Sequence, residues 1–173
     1  QETSIETILC KHEGGASMMA EAEGKLSGRP GIAFVTRGPG ATNAAAGVHI
    51  AQQDSTPMIL FVGQIEKEMY GRDAFQEVDY KDFFGGMSKL VIEVQDPNRL
   101  SEIISRAFHT AMSGRPGPVI IALPENMLTE KVNVKPVEFV KKINSGPSTN
   151  DLALYIEQIK KSKNPIIIIG GSV

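Results

Sequence analysis

Apolar residues fall along this chain in short runs, separated by longer stretches of helical period. The runs at Thr7–Cys10, Gly31–Thr36, Pro57–Val62, Lys89–Val94 and Gly117–Leu123 have the length and β-branched content of strands. Between them, Glu13–Ser27, Ala41–Gln53 and Pro97–Met112 read as helices, with a short one at Tyr80–Phe84. The third of these has the clearest period: Leu100, Ile103, Ile104, Ala107, Phe108 and Ala111 fall on one face. Their ends are marked by Gly28 with Pro30, Gly85-Gly86, Asp96-Pro97 and Gly114. Strands that alternate with helices predict an α/β fold, a parallel sheet flanked by helices with right-handed crossovers. Glu66–Asp73 reads as a surface loop. Thr129–Ser148 is polar and aperiodic, a linker. A helix follows from Asn150 or Asp151 to about Lys163, and Pro165 opens a further strand through Ile166–Ile169.

The pattern also locates the chemistry. Gly38-Pro39-Gly40 lies between a strand and a helix, so it sits at the strand's C-terminal edge, where α/β sheets bind ligands. Glu13 begins another helix after the run at residues 5–10. If the two strands are parallel, Glu13 and the glycine turn share one edge. A first-turn carboxylate ordinarily serves the helix dipole. Here Gly14 and Gly15 follow it and would let another molecule approach. A partly buried Glu13 would have a raised pKa and share a proton with a ligand nitrogen. Gln76, beside Phe75 in a long connection, is a hydrogen-bonding group that reads equally well as a surface turn residue. The glycine turn matches the dinucleotide fingerprint poorly: Asn43 replaces its third glycine, and no acid follows Val62-Gly63-Gln64.

Composition narrows the classes. Of 173 residues 41% are hydrophobic and 22% charged, with a formal net charge of -2, an ordinary globular balance. No basic stripe suggests nucleic acid, and no apolar run is long enough to cross a membrane. Cys10 is the single cysteine, so no internal disulfide forms, and a reducing, cytoplasmic setting is expected. No His or Cys pair has metal spacing, so no metal site is expected within this chain. The ends, Gln1 and Gly170-Gly171-Ser172-Val173, read as those of a fragment.

Four segments carry a resemblance. They are His12-Glu13-Gly14-Gly15-Ala16, Val35-Thr36-Arg37-Gly38-Pro39-Gly40-Ala41-Thr42-Asn43, Asp73-Ala74-Phe75-Gln76-Glu77 and Ser113-Gly114-Arg115-Pro116-Gly117-Pro118-Val119. In that order they resemble the thiamine-diphosphate enzymes of the acetolactate synthase group. The resemblance implies a pyrimidine-binding domain over residues 1–128, incomplete at its N-terminus because its first strand and helix are missing. A linker over 129–148 and the start of a central domain over 149–173 would follow. It implies that Glu13 hydrogen-bonds N1′ of the cofactor's aminopyrimidine and acts catalytically. Thr36, Pro39 and Asn43 would line the cofactor, and Gln76 and Phe75 would lie on the substrate side. The cofactors implied are thiamine diphosphate and Mg2+, whose ligands fall outside this chain; FAD is left open. The implied reaction decarboxylates a 2-oxo acid such as pyruvate and transfers the acyl carbanion equivalent to an acceptor, in a homodimer or homotetramer. By itself the fragment would be inactive. Arg37 stands where the family has a small residue and Glu23 where it has an aromatic one. The alternatives are a Rossmann-like nucleotide-binding domain and a non-catalytic subunit on the same fold.

Overall fold

The computed structural model describes residues 4–137 and 146–170. The chain divides into two units, Gln1–Lys141 and Lys142–Val173. The first contains a four-stranded, wholly parallel sheet. Its strands are β1 (Gly31–Val35), β2 (Met58–Gln64), β3 (Leu90–Glu93) and β4 (Pro118–Pro124), in the spatial order β1-β2-β4-β3. Parallel strands need crossovers, and α1 (Glu13–Ser27), α2 (Pro39–Gln53), α3 (Tyr80–Phe84) and α4 (Leu100–Met112) occur among them.

The two central strands read as continuous apolar runs because both their faces are covered. Met58, Leu60, Val62, Ile120 and Ala122 face α1, α2 and α3, joined there by Ala41, Ala44, Val48 and Phe84. Ile59, Phe61, Val119 and Ile121 face the other way, onto Ile103, Ala107 and Ala111 of α4. The small residues of α2 thus serve the chain's own core: Ala41, Ala44, Val48 and Ala51 have no exposed surface. They also let α1 come very close. A Cβ on Gly47 of α2 would lie 2.4 Å from Ser17 Oγ and 2.5 Å from the Ser17 carbonyl carbon.

Local caps set the ends of α1. His12 Nδ1 accepts from Gly14 N–H (3.0 Å), and Gly28 ends the helix in the left-handed region at φ 68°. Arg115 closes α2. Its guanidinium donates to the carbonyls of Gln52 (2.9 Å) and Gln53 (3.1 Å) and to Ser55 Oγ (2.7 Å). A cation on the last carbonyls of a helix opposes their negative end.

Two expected strands are absent. Thr7–Cys10 joins no ladder, and Ile8 and Leu9 are exposed. A strand is made by its neighbour's hydrogen bonds, and β1, an edge of the sheet, pairs only with β2 among the described residues. On that edge strand Ile32 is 47% and Phe34 68% exposed, Phe34 stacking on Phe61 of β2 with centroids 4.4 Å apart. Ile166–Ile169 forms no strand either, because the described part of the second unit has one helix, α5 (Thr149–Lys161), and nothing to pair with. Ser148 caps α5 by accepting from Asp151 N–H (3.2 Å). In the expected linker, Val137 N–H donates to Ser101 Oγ of α4 (2.8 Å), and residues 138–145 lie outside the described residues.

Candidate functional site

The turn after β1 is fixed from three sides. Gly38 adopts φ 58°, which disfavours any side chain, and a Cβ there would lie 2.8 Å from Gln76 Cβ. Its N–H donates to Tyr80 Oη (3.0 Å), whose own hydroxyl donates to the Gly63 carbonyl at the end of β2 (3.0 Å). Tyr80 is 2% exposed, and burial raises its phenol pKa. Pro39 then occupies the first helical position of α2, where its fixed φ fits and its missing N–H is no loss.

Glu13 stands beside this turn because α1 and α2 pack so closely at Ser17 and Gly47. Glu13 Oε2 accepts from Asn43 Nδ2 (3.1 Å), one turn into α2. Glu13 Oε1 makes no hydrogen bond to another side chain among the described residues. It faces Gly40, where a Cβ would come 3.6 Å from it and 2.7 Å from the Thr36 methyl. The structure therefore brings Glu13, Thr36, Pro39 and Asn43 together around the bare backbone of Gly40. A carboxylate with one oxygen anchored and one open, beside backbone that a Cβ would fill, fits a ring nitrogen of a flat heterocycle.

The expected pKa of Glu13 is corrected. The carboxyl is held below the usual range, first by its own backbone N–H and then by the Asn43 amide, with His12 adding to them; desolvation opposes these and is outweighed. Glu13 is half-buried, and the hydrogen bonds to its charged form outweigh the rise expected from burial.

Gln76 reaches the site from the far side of the turn. It holds φ 66° and packs against Gly38. Glu77 shapes this loop by accepting from Gly71 N–H (2.6 Å) and Ala74 N–H (2.9 Å), bonds that depress its own pKa. Phe75 is 81% exposed and is not gathered with Glu13. A second cavity of about 390 Å³ opens along the C-terminal parts of β3 and β4, between Lys67, Tyr70, Asp79, Lys81, Glu93 and Gln95, with Tyr80 in its wall. It includes none of the residues singled out from the sequence. There burial, and then Asp79, push the Tyr70 phenol up to about 12.

Two contacts beside the turn escaped the sequence reading, the Tyr80 hydroxyl on Gly38 and the Arg37–Glu125 ion pair (Nη1 to Oε2, 2.7 Å). Arg37 gave one signal, a long cation in a turn of small residues. Tyr80 gave none, since its two hydrogen bonds reach 42 and 17 residues back along the chain.

Residues 1–83 match the family described as thiamine pyrophosphate enzyme, N-terminal TPP binding domain. The chain is 38% identical over 173 residues to the acetolactate synthase large subunit of Porphyra purpurea, covering 96% of this chain and 29% of that protein. It is 36% identical over 173 residues to the acetolactate synthase large subunit of Lactococcus lactis subsp. lactis (98% and 30%). It is 32% identical over 171 residues to the acetolactate synthase of Bacillus subtilis (98% and 30%). The chain spans about three-tenths of the length of the curated relatives it matches. These matches favour this reading over a nucleotide-binding domain.

Proposed function

The chain belongs to the thiamine-diphosphate enzymes of the acetolactate synthase group, and from that premise we propose the activity of the whole protein. It decarboxylates a 2-oxo acid such as pyruvate and transfers the acyl carbanion equivalent to an acceptor carbonyl. Thiamine diphosphate, when bound, supplies the electron sink that decarboxylation needs. This chain's part is to hold the aminopyrimidine and manage a proton at N1′. Glu13 is the group that does so. Asn43 fixes one of its oxygens, so the other is aimed rather than free to rotate. Gly40 leaves the space for the ring, and Thr36 and Pro39 border it. Gln76 faces the substrate side, with Phe75 beyond it. Covering by the ring and a second subunit would desolvate Glu13 and raise its pKa from its present depressed state, towards the matched value proton sharing requires. The ligands for Mg2+ and the diphosphate, and any FAD site, fall outside this chain. Residues 1–128 serve as the pyrimidine-binding domain and 149–173 as the start of the central domain, joined by the linker. The working enzyme is a cytoplasmic homodimer or homotetramer, and the present chain alone is inactive.

The observation that carries this reading is the Glu13 carboxylate, anchored on Asn43 and open towards Gly40. In the full-length protein Glu13→Gln keeps the size and polarity but removes the ionisable proton. Hydrogen–deuterium exchange at C2 of the bound cofactor, and turnover, should fall roughly 10²–10⁴-fold, as on loss of a positioned acid/base group. Glu21→Gln is the control. Glu21 is buried and accepts from Thr56 Oγ1 (3.0 Å), a bond an amide oxygen also accepts. Exchange at the wild-type rate in Glu13→Gln would reduce Glu13 to a first-turn helix acid.

A further inference from the structure

The turn after β1 holds a group that the proposed chemistry leaves idle. Arg37 reaches across the end of β2 to Glu125, just past β4. That contact engages one N–H of the five on a guanidinium. Its Nε is buried without a hydrogen-bond partner, alone in this among the buried side-chain nitrogens and oxygens of the described residues. Its polar neighbour Tyr80 is satisfied, its Oη bridging Gly38 and Gly63. The Arg37 side chain is 29% exposed and that of Glu125 60%, so solvent screens the pair and it opens readily. Swinging the guanidinium outward also relieves the unmade hydrogen bond at Nε, a standing penalty while it stays buried.

We propose that Arg37 is the receptor for a second acidic group on the substrate, and that the protein acts on 2-oxo acids carrying a distal carboxylate. The inference rests on the thiamine-diphosphate reading. Once released from Glu125 and swung outward, the guanidinium can present its Nε/Nη2 edge to a carboxylate through two parallel N–H···O bonds. Placement argues for a distal group. The Thr36 methyl faces Gly40 and Glu13, whereas the Arg37 side chain runs the other way, over β2 to Glu125. Chemistry argues the same. An arginine on the carboxylate that leaves as carbon dioxide would stabilise the reactant against its own loss. A distal carboxylate keeps its charge throughout, so pairing with it strengthens binding without opposing the reaction.

The test uses the full-length protein with pyruvate and 2-oxoglutarate as probes. Arg37→Met should raise KM for 2-oxoglutarate about 10- to 100-fold, as loss of a hydrogen-bonded charge contact does, and leave pyruvate within about twofold. Arg37→Lys, which keeps the charge but not the fork, should recover part of the loss. Glu125→Gln, which frees the guanidinium, should lower KM for 2-oxoglutarate. Glutarate binding followed by calorimetry needs no turnover and should rank the variants in the same order. A pair that only braces the turn gives a different result: Arg37→Met and Glu125→Gln then impair both substrates alike. That outcome overturns the proposal, as does a wild-type enzyme that turns over pyruvate but not 2-oxoglutarate. Failure of the thiamine-diphosphate reading is distinguished by absent C2 exchange in the wild type, whatever Arg37 does to glutarate.

Discussion

The charge of Glu13 is favoured before any ligand arrives. Its own backbone N–H first, and then the Asn43 amide, stabilise the charged form and hold the carboxyl below the usual glutamate range. A carboxyl whose folded pKa is depressed contributes stability that is present above its unfolded value and lost as pH falls through the folded one. Asn43→Ala should therefore raise the Glu13 pKa towards that of an ordinary glutamate and move its share of the acid transition to higher pH. A carboxyl 13C titration of Glu13 checks this. An unmoved titration would assign the depression to the backbone alone. Glu13, Thr36, Pro39 and Asn43 were grouped by the motifs that carry the family resemblance, and the fold brings the four together around Gly40. The sign of the Glu13 shift was not readable, since it depends on a partner 30 residues away. Gln76 was recognised by type and placed by the fold, while Phe75 faces solvent.

Among the elements, those defined by local chemistry were legible and those defined by neighbours were not. Helix α1 spans its expected residues because His12 and Gly28 terminate it within a few residues of chain. Helix α2 begins two residues early because Pro39 is a good first helical residue. The runs at 7–10 and 166–169 have strand composition, yet no ladder forms without a partner. The close approach of α1 and α2 rests on the small residues of α2, and it yields a sharp expectation. Gly47→Ala puts a methyl 2.4 Å from Ser17 Oγ and against backbone, and should destabilise by about 1–3 kcal/mol, typical of overpacking. Gly15→Ala in α1 meets nothing within 4 Å and should be neutral or stabilise by up to about 1 kcal/mol. Urea midpoints of the two variants, compared at constant m-value, check the pair. Equal midpoints would mean that the helices part easily.

For the molecule as a whole, the alternation of strand and helix predicted a parallel sheet, and the sheet is parallel throughout. Its order, with β4 inserted between β2 and β3, was not legible, because neighbourhood among parallel strands leaves no mark in any one of them. The chain spans about three-tenths of its relatives, and we assign the diphosphate and Mg2+ ligands to the remainder. Calorimetry on the 173-residue chain should accordingly find no Mg2+-dependent thiamine diphosphate binding at micromolar concentration, and such binding would relocate the diphosphate site. The outer side of β1 matters in another way. Among the described residues no strand pairs with it, so it offers a row of backbone donors and acceptors flanked by Ile32 and Phe34, a ready template for a foreign strand. Produced by itself, this chain should be colloidally unstable: light scattering should rise with protein concentration and slow on Ile32→Lys, whose charge disfavours edge-to-edge stacking. Scattering unchanged by that lysine would move the sticky surface elsewhere. The practical reading is that the edge which limits shelf life is the same edge at which the sheet can still be extended.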